Sequence, residues 1–574
     1  MNFNRESPTL LSDQRDRDLA ATTFDRNLIV TAGAGTGKTT LLVDRLVNLL
    51  MREPDPVQID EIIALTFTNK AANEMKIRLR ERLQSLLETR LDLGTADEKT
   101  DRRGEILSLL QRYRLTKDQT DLRAREALRK LERSEIGTIH SFAASLLRLY
   151  PVEADLDPQF QEDDGTCFDR HFEESWLLWL DRELSRRAGR KEDWKQVLRK
   201  VSLDDLRAFA RCLCSETVAL EPLATLARAQ PRSRRVAQWL QELNRKAQAL
   251  LQKHSHKQRL IENLVQAALE IFQEVLHHGE VREGRLDAEL ELVAEKQPNQ
   301  VQGWDTLEVA EARILVQIAK RLGQVDPALT RSVSDLLLPF ARDCRQNFVQ
   351  RGFVSFDGLL VRARDLVRDH LAVREELKER FKAILIDEFQ DTDPIQYEIL
   401  LYLAERVGHA AKDWKRVELA PGKIFVVGDP KQSIYAFRRA DIEAYLDVVE
   451  NIILTQNGRE CRLTVNFRSH QGILDVVNGV FQKLILPRAG LQPSYVGIEP
   501  PQALAPRGRA ELSFRKIVMR QVESEEQLSA GKARKIEAES LAHWLHDEVL
   551  GKACIVNHDQ EPVQVQPKDV ALLF

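Results

Sequence analysis

No apolar run in this chain approaches the ~18 residues of a membrane-spanning helix, so no membrane role is expected. The first residues, MNFNRESPTLLSDQ, lack an apolar core flanked by positive charge, so no secretory leader is expected and the cytoplasm is the expected compartment. Cysteine is sparse at six residues, and only Cys212 and Cys214 lie close together. A single C-x-C has no second ligand pair for zinc, and the thiols read as reduced. Charge of one sign is also missing: the net charge is -4 in 574 residues. A strongly basic nucleic-acid binder is excluded, although a locally basic groove is not. With 25 glycines, 20 prolines, no low-complexity tract and no internal repeat, neither long disordered segments nor a solenoid are expected.

Hydrophobic residues make up 43% and charged residues 30%, a globular balance, and the length suggests roughly three to four domains. Short aliphatic runs at Asn27–Ala32, Glu61–Phe67, Ala383–Asp387, Lys423–Asp429 and Cys461–Val465 read as buried strands. Helical periodicity follows several of them, as at Thr39–Leu50 and Lys70–Leu87, which predicts a parallel sheet. Leu87–Glu132 is a charged helical stretch. From about Pro151 to Val349 the pattern is Leu-, Arg- and Glu-rich with a 3.6-residue period, which reads as a helical insertion. Within it Arg228, Arg232, Arg234 and Arg235 form a small basic cluster, either a solvated helix end or a phosphate contact.

Between one strand and helix lies Ala32-Gly33-Ala34-Gly35-Thr36-Gly37-Lys38-Thr39, followed by Thr40. Three glycines let a backbone wrap phosphate oxygens without Cβ clashes, and the helix N-terminus favours the anion. Lys38 suits β- and γ-phosphates, and the Thr39 hydroxyl suits Mg²⁺; the nucleotide expected is ATP. The strict phosphate-loop pattern begins with glycine, and Ala32 holds that place. The run Ala383-Ile-Leu-Ile-Asp387-Glu388 ends an apolar strand in two carboxylates. Asp387 is expected to hold Mg²⁺, and Glu388 to orient and deprotonate the attacking water.

At Asp387-Glu-Phe-Gln-Asp-Thr-Asp393 the chain resembles the UvrD/Rep-like superfamily 1 DNA helicases, and within them the RecB/AddA branch. Thr66-Phe-Thr-Asn-Lys-Ala-Ala-Asn-Glu-Met75, Gly137-Thr-Ile-His-Ser-Phe142, Phe353–Leu360, Gly428-Asp-Pro-Lys-Gln-Ser-Ile-Tyr-Ala-Phe-Arg438 and Asn466-Phe-Arg-Ser469 match in order. The match runs from about Ser12 to Asn478, omitting the inserted helices. The resemblance implies an α/β P-loop NTPase (RecA-like) fold with a parallel sheet, a large inserted helical domain and the start of a second RecA-like domain. Its division would be 1–150 with 350–450 for the first RecA-like domain, 151–349 for the insertion, and 451–574 for the beginning of the second.

The resemblance further implies that Gln14 reads adenine, that Phe467 stacks on it, and that Gln432 and Arg468 sense the γ-phosphate. It puts Phe67, Thr68, Asn69, His140, Tyr435, Phe437 and Arg438 on DNA, aromatics stacking on bases and polar groups holding phosphates. The implied activity is ATP-driven 3′-to-5′ DNA unwinding in repair or recombination, on single-stranded or duplex DNA, beside a RecBCD- or AddAB-like partner subunit. The rival readings are a DNA-stimulated ATPase without unwinding and a non-catalytic DNA- or partner-binding subunit. Motifs that would follow in the second domain find no match after Ser469, so the chain reads as the N-terminal part of a longer helicase or as a truncated gene product. The stretch Glu511–Phe574 is compatible with that second domain, with a strand expected at Asp569–Phe574.

Overall fold

A computed structural model of the chain describes residues 11–88, 99–185, 189–221, 234–254, 260–278, 304–323, 327–436, 439–469, 471–487, 493–501, 530–556 and 562–572. The chain divides into two units, Met1–Ala505 and Pro506–Phe574.

The larger unit is built on six strands: β1 (Leu28–Ala32), β2 (Ile62–Thr66), β3 (Glu135–Thr138), β6 (Ala383–Ile386), β7 (Ile424–Gly428) and β8 (Arg459–Leu463). They lie in the order β3-β2-β6-β7-β1-β8, with every pairing parallel. Parallel strands must be covered on both faces. Alternate residues accordingly enter two cores. Ile29, Ile63, Ile384 and Val426 face one, with residues of Ile139–Leu149, Phe356–Asp369 and Pro394–Ala404. Leu28, Val30, Ala64, Leu385 and Val427 face the other, against α1 (Gln14–Thr22), α2 (Lys38–Met51) and α3 (Asn69–Glu88). The expected strands Asn27–Ala32, Glu61–Phe67, Ala383–Asp387 and Lys423–Asp429 match β1, β2, β6 and β7 to within a residue at each end.

Two differences follow from strand position. The expected strand Cys461–Val465 is shifted to Arg459–Leu463, because Arg459 and Glu460 pair with Leu28 and Ile29. This strand, allotted to 451–574 by the sequence division, is an edge of the first sheet. In addition, β4 (Gln161–Asp163) and β5 (Phe353–Ser355) form a small parallel pair. They close the two ends of the inserted stretch, so 151–349 opens with a strand before its helices begin.

Between β4 and β5 the described residues are helical, at Thr166–Leu184, Lys191–Leu198, Leu203–Leu213, Arg234–Lys253, Leu260–His278, Thr306–Gly323 and Pro327–Gln350. They gather around two separate cores, one centred on Phe172, Trp176, Trp194 and Phe340, the other on Leu240, Val265, Phe272 and Leu315. Arg228 and Arg232 lie outside the described residues; Arg234 and Arg235 open a helix. No helix among the described residues is long and apolar enough to cross a membrane.

In the smaller unit a helix at Ala530–Trp544 precedes an antiparallel pair, β9 (Cys554–Val556) with β10 (Pro562–Gln564). The strand expected at Asp569–Phe574 is not formed: Pro567–Asp569 is a single 3₁₀ turn, residues 570–572 are irregular, and 573–574 lie outside the described residues.

Candidate functional site

In an open parallel sheet, ligands bind beyond the C-terminal ends of the strands. Here each of the six strands delivers a segment named from the sequence: 33–39 after β1, 67–69 after β2, 138–140 at β3, 387–388 after β6, 429–432 after β7 and 466–468 after β8.

The loop after β1 turns on Gly35 (φ 75°) and Gly37 (φ 87°), a left-handed conformation that glycine adopts at little cost. Gly37 caps α2, so Lys38 opens that helix. Within the loop the Thr36 hydroxyl donates to Gly33 O (2.8 Å). Lys38 Nζ reaches across 350 residues of sequence to Glu388, 2.6 Å from Oε1 and 2.7 Å from Oε2. Glu388 points there because it is left-handed (φ 50°, ψ 44°), a conformation of about 1–2 kcal/mol cost for a residue with a Cβ. The neighbouring Asp387 is pinned by its own N–H, which donates to Leu65 O (2.8 Å) on β2.

Gln390, which sequence reasoning passed over, joins two of these segments. Its buried amide donates to Glu388 Oε2 (2.8 Å) and accepts from Asp429 N (2.9 Å). Asp429, also missed, is buried and accepts from Gln432 Nε2 (2.8 Å) and pairs with Lys431 Nζ (2.9 Å). A Cβ on Gly33 would stand 3.8 Å from Asp429 Oδ2, so Asp429 adjoins the phosphate-loop backbone.

From β8, Asn466 donates to Ala34 O (2.5 Å) and its carbonyl accepts from the N–H groups of Arg468 and Ser469 (2.9 and 2.7 Å). Phe467 N donates to Gly35 O (2.8 Å). The Phe467 ring is 48% exposed and Arg468 is exposed beside it. Gln14 Nε2 donates to Asp18 Oδ1 (2.9 Å), one turn along α1 at the surface. Arg17 is the α1 residue that touches the loop: its Nη1 donates to Thr36 O (2.8 Å), and its guanidinium carbon lies 5.1 Å from the Phe467 ring centre.

The residues expected on DNA lie along the β2–β3 side. Phe67 and Tyr435 stack with ring centres 4.9 Å apart. Asn69 is exposed, whereas the Thr68 hydroxyl accepts from Ala71 N (3.1 Å) and so caps α3. His140 is half-buried edge-to-face with Phe356 at 5.7 Å, and burial lowers its pKa against the opposing pull of Asp393 and Asp357, with Arg439 lowering it further. Phe356, 46% exposed, lies inside the quoted Phe353–Leu360 segment but was given no role from the sequence. A cavity of about 500 Å³ runs from Asp387 and Glu388 to Phe67, His140 and Phe356. Phe437 and Arg438 lie outside the described residues.

Negative charge is in excess here. Burial first, and Glu388 second, push Asp387 and Asp391 up to about 6 each, with Lys38 opposing. Asp391 Oδ1 is buried without a hydrogen-bond partner among the described residues. Three carboxylates facing one lysine suit an added cation. No group of three His, Cys, Asp or Glu with metal-site geometry occurs among the described residues. Mg²⁺ keeps several waters and takes one or two protein ligands together with phosphate oxygens.

The family described as "UvrD/REP helicase N-terminal domain" matches residues 13–452. An ATP-dependent helicase/nuclease subunit of Bacillus pumilus (strain SAFR-032) is 26% identical over 525 residues, covering 80% of this chain and 38% of that protein. The protein of the same name from Syntrophomonas wolfei is 27% identical over 528 residues, covering 83% of this chain and 38% of its own length. That of Moorella thermoacetica is 26% identical over 527 residues, covering 81% and 34%. The chain thus spans less than half the length of these curated relatives.

Proposed function

This chain belongs to the UvrD/REP helicase family, and from that premise we propose that it binds and hydrolyses ATP at the C-terminal ends of the strands and couples the cycle to 3′-to-5′ movement on single-stranded DNA. The observation that carries the reading is the Lys38–Glu388 pair at 2.6 Å, a phosphate-binding cation and a candidate general base brought together from two loops.

On nucleotide binding, Lys38 exchanges Glu388 for β- and γ-phosphate oxygens, and the N–H groups of residues 33–39 cradle them. Thr39 and Asp387 are the residues that would hold Mg²⁺, which supplies charge neutralisation between β- and γ-phosphates. Glu388 remains hydrogen-bonded to Gln390 and takes the proton of the attacking water. Gln432 and Arg468 face the γ-phosphate, where a guanidinium offsets developing charge. Phe67, Tyr435, His140 and Phe356 offer stacking faces to unpaired bases. Phe437 and Arg438, outside the described residues, are assigned to DNA by resemblance alone.

Under this reading the 1–150 and 350–450 segments, together with β8 (Arg459–Leu463), form the first RecA-like domain, 151–349 the insertion, and the chain after β8 the beginning of the second. The relatives' name, that of one subunit of an ATP-dependent helicase/nuclease, supports work on nucleic acid beside a second, partner protein; DNA as the substrate and the cytoplasm as the setting belong to the proposal.

The test measures nucleotide binding, ATP hydrolysis with and without single-stranded DNA, and strand displacement as three separate readouts. DNA-stimulated hydrolysis that disappears in Lys38→Ala is expected. Undiminished binding and turnover in Lys38→Ala would overturn the site. Stimulated hydrolysis without strand displacement would favour a translocating ATPase over a helicase for this chain.

A further inference from the structure

Two free thiols, Cys214 and Cys344, meet in the first core of the inserted helices, where they are 2% and 1% exposed. Cys214 caps the helix Leu203–Leu213, and Cys344 lies on the helix Pro327–Gln350, which packs against it. Their side chains are hydrogen-bonded to one another. The neighbouring Arg345 holds them there. Its guanidinium donates to Leu213 O (2.6 Å), Val218 O (2.7 Å) and Ser215 O, the carbonyls around Cys214. Glu216, in the same turn, pairs with Arg362 (3.1 Å) on the helix Phe356–Asp369. The backbone around both thiols is thus fixed with the sulfurs in contact, the first requirement for a disulfide.

One of the two is within reach of a small molecule. A cavity of about 350 Å³ lies between the helices Thr166–Leu184 and Pro327–Gln350, lined by Cys344 with His171, Ser175, Asn347 and Arg351. A polar cavity of this size accepts water and molecules of similar size. His171 Nε2 donates to Cys344 O (3.0 Å), so Nδ1 carries the lone pair, and it has no partner among the described residues. The thiols are also chemically unlike. Cys214 donates to the Cys344 sulfur, which lowers the Cys344 pKa; burial opposes this, and Arg345 and Arg351 add to the lowering. The same bond, and burial after it, raise the pKa of Cys214. The thiolate is the attacking species. Cys344, which lines the cavity, is therefore the thiol that attacks, and Cys214, which does not line it, the thiol that resolves.

We propose that Cys214 and Cys344 are a modification site at which a hydroperoxide small enough to enter the cavity converts the thiol pair into a disulfide. The Cys344 sulfur attacks one peroxide oxygen; the S–O bond forms as the O–O bond breaks, and the departing hydroxide takes the thiol proton and leaves as water. The Cys214 sulfur then attacks the Cys344 sulfur; the S–S bond forms as the S–O bond breaks, and the hydroxide takes the Cys214 proton as a second water. Two thiols are oxidised and one peroxide is reduced. The product fastens the end of one inserted helix to another, and a dithiol returns it to the resting pair by exchange.

The experiment treats the folded 574-residue chain with a molar excess of hydrogen peroxide, alkylates the remaining thiols and maps the cysteines by mass spectrometry of proteolytic peptides. A peptide pair joined through Cys214 and Cys344, about 2 Da lighter than the two thiols and released by dithiothreitol, should be the first disulfide to appear. Oxidised glutathione, too bulky for the cavity, should leave both thiols free. In Cys214→Ser the Cys344 sulfenic acid has no thiol to resolve it, and dimedone should label Cys344 at least about tenfold more than the exposed Cys212. In Cys344→Ser, Cys214 should stay unlabelled.

Survival of both thiols under peroxide that oxidises the exposed Cys212 and Cys554 overturns the proposal, because the pair is then an inert part of the core. So does a Cys214–Cys344 link that forms only after urea has unfolded the chain. Equal dimedone labelling of Cys344 in Cys214→Ser and of Cys214 in Cys344→Ser refutes the order of attack. A disulfide formed as fast by oxidised glutathione as by peroxide refutes the cavity as the entrance. The link is mapped on the unaltered chain, so the pairing is decided even where a serine variant fails to fold.

Discussion

Replacing Glu388 by glutamine separates two roles that the Lys38–Glu388 pair superimposes. The pair is doubly hydrogen-bonded at 2.6 and 2.7 Å, with the lysine side chain 12% and the carboxylate 32% exposed. Two unit charges about 3 Å apart attract by ~5 kcal/mol at an effective dielectric of 20, and desolvation and side-chain ordering return most of it. A net value of about 1 kcal/mol remains. Nucleotide phosphate must displace Glu388 from Lys38, so its affinity carries that cost. Glu388→Gln keeps the shape and the Gln390 contact but removes the charge. The nucleotide should then bind about fivefold tighter, while hydrolysis, without its general base, falls about 10²–10⁴-fold. Fluorescence titration gives the dissociation constant, and phosphate release with and without single-stranded DNA gives turnover. Weaker nucleotide binding in Glu388→Gln, or a turnover loss under tenfold, would refute the assignment of both roles.

Three further outcomes are expected. Gly35→Ala would force a left-handed alanine whose Cβ meets Arg468 Cβ and Asn466 Nδ2 at 2.7 Å; nucleotide affinity should drop at least ~100-fold and the melting temperature should fall, through a backbone cost of about 1–2 kcal/mol before any clash. Tyr435→Ala removes the stack on Phe67; the DNA concentration giving half-maximal ATPase stimulation should rise about 5- to 150-fold, at ~1–3 kcal/mol per base, while DNA-free ATP affinity is unchanged. Lys423, 6% exposed, has its pKa brought down to about 7 by burial first and by Lys378 and Lys382 second. The unfolded chain holds that proton up to about 10.4, so it binds more protons than the folded chain between pH 7 and 10, and stability rises with pH there. Lys423→Met should gain up to about 4 kcal/mol relative to the parent chain at or below pH 7, shrinking toward pH 10, read as the difference in melting temperature across pH 6.5–9.5.

Four of the six central strands were legible because a parallel strand covered on both faces must be aliphatic throughout, and such runs stand out against a charged helical background. The strands that were shifted or missed sit where that demand is relaxed. β8 and β3 are the two edges of the sheet. β8 begins with Arg459 and Glu460, and Glu460 accepts from the Thr31 hydroxyl (2.9 Å) instead of packing in a core. β3 has one buried residue, Ile136, in four. β4, Gln161–Asp163, is mostly exposed and holds its place through pairing with β5. Apolar periodicity cannot report a strand whose stability comes from its ladder.

The site divides in a similar way. Residues proposed to carry chemistry at a loop could be named from the sequence, since Lys38, Asp387 and Glu388 follow strands in a pattern that phosphate chemistry demands. The residues that turn separate loops into one site were not. Asn466 reaches Ala34 O, Arg17 reaches Thr36 O and Val465 O, and Gln390 spans Glu388 and Asp429 N. Each is a buried or half-buried polar group satisfied in part by backbone far away in sequence, and backbone partners leave no residue-type signature. Their necessity is nevertheless physical. A loop bent to expose N–H groups to phosphate leaves its carbonyls turned outward, and buried carbonyls require donors. The phosphate loop therefore creates the demand that Asn466, Phe467 N and Arg17 meet at Ala34, Gly35 and Thr36. Because two of those donors belong to the β8 loop and the third to α1, the same hydrogen bonds that complete the loop bring Phe467 and Arg468 beside it. The proposed base platform and phosphate cradle are thereby fixed to one another before any nucleotide arrives.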